Sequence, residues 1–174
     1  MVGVGMQGIS NVTKGKYNMN KPKLIVMIGI PGSGKSTFAR HYIEQANLMT
    51  TIWVSRDDIR YSLLSDEDDY FSKEKDVFEF FIKAINAGLA DGMDVIADAT
   101  HLNSRSRKKL LSRITVSNIQ IEACVMETPL EKCLENNAKR SGKACVPEKV
   151  ILDMFHNFEY PTFQEGFTTI ATVK

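Results

Sequence analysis

Gly29-Ile30-Pro31-Gly32-Ser33-Gly34-Lys35-Ser36, followed by Thr37, is the stretch of sequence that decides the fold. Residues 24–28, just before it, are apolar and rich in β-branched side chains, which predicts a buried strand. Residues 37–43, just after it, contain no helix breaker and predict a helix. Because a glycine-rich loop between a strand and a helix is the setting in which this pattern binds phosphate, the stretch predicts a P-loop.

The residue types in the loop fit that chemistry. Glycine permits positive φ and brings backbone N–H groups close to an anion, while the helix N-terminus adds partial positive charge. Lys35 can reach the β- and γ-phosphates of a nucleotide, and the Ser36 hydroxyl can bind Mg²⁺. The alternative is a glycine-rich turn with a solvated lysine. We expect a nucleoside triphosphate to contact Gly29, Pro31, Gly32, Ser33, Gly34, Lys35, Ser36 and Thr37.

Composition limits the other possibilities. A length of 174 residues fits one domain, and a net charge of +1 argues against coating nucleic acid through a global basic field. The three cysteines lack metal-ligand spacing, so we expect reduced packing residues of a cytoplasmic protein. We expect no membrane partner, because no apolar stretch is long enough to span a bilayer. Residues 1–20, with scattered glycines, predict a flexible leader.

The rest of the chain alternates between strand and helix patterns. Strands are predicted at 51–55, 93–97, 119–126 and within 167–173, and helices at 57–64, 73–90, 104–114, 130–138 and from Pro147 onward. This order predicts an α/β fold: a mostly parallel sheet of about five strands with helices on both faces. Ligands of such folds bind beyond the carboxyl ends of the strands, which places the P-loop, Asp57 and Asp98 on one rim.

Asp57 follows the second predicted strand, and Arg60 lies three residues further along the same helix face. One interpretation is that Asp57 only caps the helix. The other is that Asp57 accepts the proton of an attacking hydroxyl while Arg60 binds an anionic group of the acceptor. Phosphoryl transfer needs positioning and charge stabilisation more than covalent help, so these two side chains could suffice.

Asp98 ends the third predicted strand, in the run Asp98-Ala99-Thr100-His101. A carboxylate there can hold Mg²⁺ together with Ser36, or it can cap the next helix. We expect Asp98 and Thr100 on the substrate side, whereas His101 is interpreted as either substrate-side or structural. A basic loop at 139–143 is interpreted as a lid that brings Arg140 to the nucleotide, although most basic loops are simply solvated.

Four segments together resemble the P-loop kinases typified by the phage-type polynucleotide 5′-hydroxyl kinases. They are GIPGSGKST at 29–37, SRDDIR at 55–60, DATHLN at 98–103 and KRSGKACVP at 139–147. The resemblance implies a P-loop NTPase fold of the nucleoside monophosphate kinase-like type, with three layers and a small lid. It assigns residues 21–174 to one kinase domain, with the lid at about 139–147.

The resemblance also implies roles for particular residues. Lys35 and Ser36 would bind the phosphates of ATP and Mg²⁺, Asp57 would be the general base, and Lys35 and Arg140 would act on the transferring phosphoryl group. Arg60 would bind the acceptor's 3′-phosphate. Two departures from the family pattern are Ala99, where some members carry an acidic residue, and Asn136, where a lid arginine is often present.

The implied activity is transfer of the ATP γ-phosphate to the 5′-hydroxyl of DNA or RNA, in nucleic acid repair in a phage-infected or bacterial host cytoplasm. A basic helix that includes Arg107 favours a nucleic-acid acceptor, although a solvated helix face has the same spacing. A kinase of a small hydroxylated molecule or nucleoside is the main alternative. A non-enzymatic NTP-binding regulatory module is the second.

Overall fold

The computed structural model describes residues 11–12, 21–45, 50–65 and 67–174, which form six strands and six α-helices. In chain order they are β1 (Asn11–Val12), β2 (Lys23–Ile28), α1 (Lys35–Gln45), β3 (Thr51–Ser55), α2 (Arg56–Leu63), α3 (Glu74–Ala90), β4 (Asp94–Asp98), α4 (Ser104–Leu111), β5 (Gln120–Met126), α5 (Leu130–Ala138), α6 (Glu148–His156) and β6 (Thr169–Val173).

The strands form one sheet in the order β1-β6-β5-β2-β4-β3. Strands β2 to β6 are all parallel to one another, and β1 pairs antiparallel with β6 through Asn11 and Val12. The predicted parallel sheet of about five strands is therefore confirmed. The predicted leader at 1–20 lies outside the described residues, except for β1.

Residues of β2 alternate between the two faces of the sheet, as its apolar sequence requires when both faces are covered. Leu24, Val26 and Ile28 point to one face and pack in a cluster that includes Phe81 and Ile85 of α3. Ile25 and Met27 point to the other face and pack with Ala39 of α1. Helices therefore cover both faces of the sheet, as predicted, and the P-loop emerges from its most buried strand.

The boundaries of three helices differ from the predicted ones. Helix α2 begins at Arg56, because the Ser55 side chain accepts a hydrogen bond from the Asp58 N–H. Pro147 occupies the N-cap position of α6 and is not its first helical residue. Helix α4 is shorter than predicted and ends at Leu111.

The described cysteines are free thiols, as expected, with Cys124 and Cys133 buried and Cys145 exposed. Burial raises the pKa of Cys124 to about 12, so this thiol stays protonated and packs as a small apolar side chain. Among the described residues, no helix has both the length and the apolar character needed to cross a membrane.

Candidate active site

The P-loop is held in shape by the segment that follows β5. Gly32 and Gly34 have φ of 81° and 91°, in the region that favours glycine. A Cβ atom on Gly32 would lie 2.1 Å from the backbone oxygen of Cys133 in α5. The Asn136 amide also donates to the Gly32 carbonyl at 2.9 Å, and the Thr128 hydroxyl donates to the Ser33 carbonyl at 2.8 Å. Helix α5 therefore packs directly on the loop.

Lys35 begins α1 and folds back over the loop. Its Nζ donates to the carbonyl oxygens of Gly29 and Ile30, both at 3.0 Å. Burial lowers the pKa of Lys35, and the nearby negative charge of Asp98 opposes that shift. The first turn of α1 contains no acidic side chain, so no carboxylate there competes with a phosphate. These features fit the phosphate tail of a nucleotide.

Ser36 and Asp98 come together at the carboxyl ends of β2 and β4. The Ser36 hydroxyl donates to Asp98 Oδ2 at 2.8 Å, and the indole N–H of Trp53 donates to the same oxygen at 3.2 Å. Burial raises the pKa of Asp98, opposed chiefly by the positive charge of Lys35. A hydroxyl beside a carboxylate is an oxygen donor set that suits Mg²⁺. The alternative role of Asp98 as a helix cap is wrong, because Asn103 caps α4.

Asp57 lies in the first turn of α2 and takes part in a polar network. Its Oδ1 accepts hydrogen bonds from Arg60 Nη1 at 2.5 Å and from the Tyr70 hydroxyl at 3.1 Å. The Asp57 side chain is nevertheless 63% exposed. Since Ser55 caps α2, the interpretation of Asp57 as the cap is wrong. The exposed carboxylate is open to solvent, and its role as a general base stays a prediction.

Arg60 and Asp57 are brought together as predicted, but the guanidinium faces the protein. Arg60 Nη2 donates to Glu74 Oε2 at 2.7 Å, and Nη1 contacts both Asp57 and the Tyr70 hydroxyl. The residue is only 5% exposed. This geometry fits a residue that holds Asp57 in place. A contact between Arg60 and an acceptor phosphate remains a prediction, and it would require these partners to be exchanged.

Arg107 requires a correction. The residue is completely buried, and its guanidinium binds Glu165 through Nε at 2.7 Å and Nη2 at 2.9 Å. Its Nη1 donates to the carbonyls of His101 and Glu159 at 3.1 and 2.8 Å. The predicted contact with substrate does not fit this burial, and Arg107 instead ties α4 to the C-terminal segment.

Thr100 and His101 lie directly behind the P-loop. The Thr100 carbonyl accepts a hydrogen bond from the Gly29 N–H at 3.0 Å. His101 is buried, with Nδ1 2.8 Å from the Met27 carbonyl oxygen, and burial lowers its pKa to about 4. Of the two interpretations of His101, the structure supports the structural one.

The predicted lid region contains a short 3₁₀ helix, Gly142–Ala144, between α5 and α6. Arg140 is exposed just before it, and its charge contributes to lowering the pKa of Lys35. Lys143 Nζ donates to the carbonyl oxygens of Ser65 and Asp68, at 3.3 and 3.0 Å. The region thus contacts the connection between α2 and α3, on the Asp57 side of the rim.

Three residues at the site were not predicted from the sequence: Trp53, Tyr70 and Glu74. Trp53 shares Asp98 with Ser36, whereas Tyr70 and Glu74 complete the network around Asp57 and Arg60. The one available signal was Trp53, which lies two residues before the end of a strand that leads to the rim. Tyr70 lies in the irregular connection between α2 and α3 and Glu74 is the first residue of α3, so no periodicity indicates which way either side chain points.

The fold and site together define a P-loop kinase fold. The sheet is parallel, the P-loop follows its central strand, a buried carboxylate ends the adjacent strand, and a basic connection precedes α6. A family model described as "AAA domain" matches residues 24–161, so the chain belongs to that family.

Two viral proteins are similar to this chain. A protein of Autographa californica nuclear polyhedrosis virus named as a bifunctional polynucleotide kinase/RNA ligase is 29% identical over 157 residues, which cover 79% of this chain and 22% of that protein. A protein of Acanthamoeba polyphaga mimivirus named as a bifunctional polynucleotide phosphatase/kinase is 29% identical over 172 residues, covering 91% and 34%. The chain therefore spans about a fifth to a third of the length of these relatives.

A third relative and one solved structure extend the comparison. The L-seryl-tRNA(Sec) kinase of Methanococcus maripaludis is 26% identical over 140 residues, covering 79% of this chain and 53% of that protein. A chain in the structure of the Pnkp1/Rnl/Hen1 RNA repair complex is 28% identical with a TM-score of 0.68, covering 82% of this chain and 45% of that one.

Proposed function

We propose that this chain is an ATP-dependent polynucleotide kinase, which transfers the γ-phosphate of ATP to the 5′-hydroxyl of DNA or RNA. The observation that carries the proposal is the exposed carboxylate of Asp57, on the rim that also holds Lys35 and the Ser36–Asp98 pair. The charge of Asp57 helps to raise the pKa of Asp98 and opposes the lowering of the pKa of Lys35, so the three groups share one electrostatic environment.

The donor side would be formed by the P-loop. Its backbone would surround the β-phosphate, while Lys35 would exchange its two carbonyl partners for phosphate oxygens. Ser36 and Asp98 would hold Mg²⁺, which supplies charge neutralisation on the phosphates. Arg140 would approach the transferring group from the predicted lid, where Lys143 already contacts the far side of the rim. Closure of the lid would exclude water.

The acceptor side would be organised by Asp57. The 5′-hydroxyl oxygen forms a bond to the γ-phosphorus, and the bond from that phosphorus to the bridging oxygen of ADP breaks. The hydroxyl proton passes to the carboxylate of Asp57. Because Arg60 and Tyr70 both bind Oδ1, they hold the carboxylate in one orientation. Oδ2 accepts no hydrogen bond from the described residues and would face the acceptor.

The names of the similar proteins support a nucleic-acid acceptor, since both viral relatives and the repair-complex neighbour carry polynucleotide kinase or RNA repair in their descriptions. The relative named L-seryl-tRNA(Sec) kinase has a different acceptor in its name, and so it supports testing the second candidate, a kinase of a small hydroxylated molecule or nucleoside. We further propose a role in nucleic acid repair and a cytoplasmic location, to which the free cysteines lend support.

The test is a transfer assay with γ-labelled ATP and Mg²⁺. The acceptors are a 5′-hydroxyl oligonucleotide, the same oligonucleotide with a 5′-phosphate, a nucleoside 3′-monophosphate, a bare nucleoside and several sugars. We expect label on the 5′-hydroxyl oligonucleotide and none on its phosphorylated twin, and Lys35→Ala should remove the transfer. Equal or better phosphorylation of nucleosides or sugars would establish the second candidate instead.

A further inference from the structure

Three aromatic side chains lie around the polar network of Asp57. Tyr61 comes from α2, and Tyr70 and Phe71 come from the connection between α2 and α3. The Tyr70 ring lies between the other two, with centroid distances of 6.4 Å to Tyr61 and 4.9 Å to Phe71, both edge-to-face. The Tyr70 hydroxyl contacts the Asp57 carboxylate, so this aromatic cluster begins at the catalytic rim.

Two members of the cluster face solvent. Phe71 is 68% exposed and Tyr61 is 42% exposed, and neither belongs to the clusters of buried apolar residues in the described part of the chain. Burial of an aromatic ring stabilises a fold, so an exposed phenylalanine contributes little to packing at this position. Two such rings beside a reactive carboxylate indicate a binding surface.

The cluster is also held in position by charge. The Arg60 guanidinium carbon lies 4.5 Å from the centroid of the Tyr70 ring and 5.8 Å from that of Phe71. Since Arg60 is itself fixed by Asp57 and Glu74, the rings have a defined place relative to the carboxylate. A fixed ring loses little conformational freedom when a planar group stacks on it.

We propose that the exposed ring of Phe71 forms a stacking subsite for the nucleobase of the acceptor's 5′-terminal nucleotide, with Tyr61 at the opposite edge of the same aromatic cluster. In a nucleotide the base and the 5′-oxygen are attached to the same ribose, a few ångströms apart. Because Phe71 contacts Tyr70, whose hydroxyl binds the Asp57 carboxylate, a base stacked on Phe71 would bring its 5′-hydroxyl toward Asp57. Every base has a flat π-face, so the subsite would accept any base and would discriminate against an acceptor without one. This inference rests on the proposed function and names the part of the acceptor that is recognised.

The experiment compares two oligonucleotides that differ at one position: a normal 5′-terminal nucleotide and a 5′-terminal abasic sugar, both with a free 5′-hydroxyl. We expect wild-type kcat/KM to be about 10- to 100-fold higher for the first, from the stacking of one base. Phe71→Ala should remove most of that preference, and Phe71→Trp should retain it. Phe80→Ala is the matched control, because Phe80 is 50% exposed on α3 and belongs to no part of the proposed site.

A binding measurement separates this proposal from the proposed function. With 2-aminopurine at the 5′ end, stacking should quench the fluorescence when the wild-type chain binds, with or without turnover, and Phe71→Ala should reduce the quenching. Quenching without phosphoryl transfer would overturn the proposed function and keep the subsite. Transfer to both oligonucleotides at equal kcat/KM, with no effect of Phe71→Ala on quenching, would overturn the subsite and keep the kinase.

Discussion

Asp57 receives both of its described hydrogen bonds on the same carboxylate oxygen, and this asymmetry makes its role testable. In Asp57→Asn the amide oxygen can still accept from Arg60 and Tyr70, so we expect the fold and ATP affinity to be retained. The rate of phosphoryl transfer should fall by about 10²- to 10⁴-fold, the usual contribution of a positioned base. Single-turnover kinetics and thermal unfolding of the same preparation measure the two effects.

Asp58→Asn is the control for that substitution, because Asp58 is exposed in the same first turn of α2 but contacts none of the network. It should turn over like wild type. If Asp57→Asn lost stability and kept its rate per folded molecule, Asp57 would be a structural residue.

Tyr70 supplies the second hydrogen bond to Asp57, and removing its hydroxyl tests whether orientation of the carboxylate matters. Tyr70→Phe keeps the ring beneath Arg60 and removes one donor to a charged acceptor. We expect kcat to fall by about 10-fold, the order of one hydrogen bond to a charged group, with the Kd for ATP unchanged. Tyr42→Phe makes the same chemical change on α1, away from the network, and should leave kcat at the wild-type value.

At the scale of elements, the close contact between the P-loop and α5 predicts an unusual sensitivity at Gly32. Gly32→Ala would combine a positive φ with a Cβ atom 2.1 Å from the Cys133 carbonyl oxygen. Gly92 has nearly the same φ, 78°, but a Cβ there would meet no described heavy atom within 4 Å. The pair therefore separates backbone strain from steric overlap.

We expect Gly92→Ala to lower the free energy of unfolding by about 1–2 kcal/mol, the cost of the left-handed backbone. Gly32→Ala should lose about 1–3 kcal/mol more because of the overlap with α5. It should also lose the stabilisation by ATP that Gly92→Ala retains. Urea unfolding with and without MgATP measures both effects, and identical results for the two variants would contradict the packing of α5 on the loop.

The sequence predicted the elements well because their signals are local. The apolar run of β2, the glycines of the P-loop and the apolar stripe of α3 are each contained in one short segment. The roles of Arg60 and Arg107 were harder to predict, since each depends on a distant partner. Arg107 belongs to a basic run in the sequence, but it forms a buried ion pair with Glu165, which lies 58 residues further along the chain. Likewise, Asp57 and Asp98 are candidate helix caps in the sequence, whereas the residues that cap the helices are Ser55 and Asn103.

At the scale of the whole molecule, buried His101 should couple stability to pH. Burial lowers the folded-state pKa of His101 to about 4, and the charges of Arg56, Lys35 and Arg107 act in the same direction. Below pH 6.5 His101 is therefore protonated in the unfolded chain but stays neutral in the folded chain. The contribution of neutral His101 to the free energy of unfolding is fully present above pH 6.5, and it is lost progressively as the pH falls toward 4.

His101→Asn removes this titration and suits the positive φ of 45° at this position. Between pH 7 and pH 5, we expect wild type to lose about 2 kcal/mol more free energy of unfolding than the variant. Equal slopes for wild type and His101→Asn, measured by urea unfolding at each pH, would contradict the buried neutral imidazole.

Trp53 is the one tryptophan in the sequence, and its indole N–H binds the same oxygen of Asp98 as the Ser36 hydroxyl. The chain thus carries an intrinsic fluorophore within hydrogen-bonding distance of Asp98, one of the two proposed magnesium ligands. Any ion or nucleotide that rearranges Ser36 and Asp98 alters the electrostatic field at the indole, and with it the colour and intensity of the emission. The order in which metal, donor and acceptor arrive can then be timed in a stopped-flow instrument on unlabelled, unmodified protein.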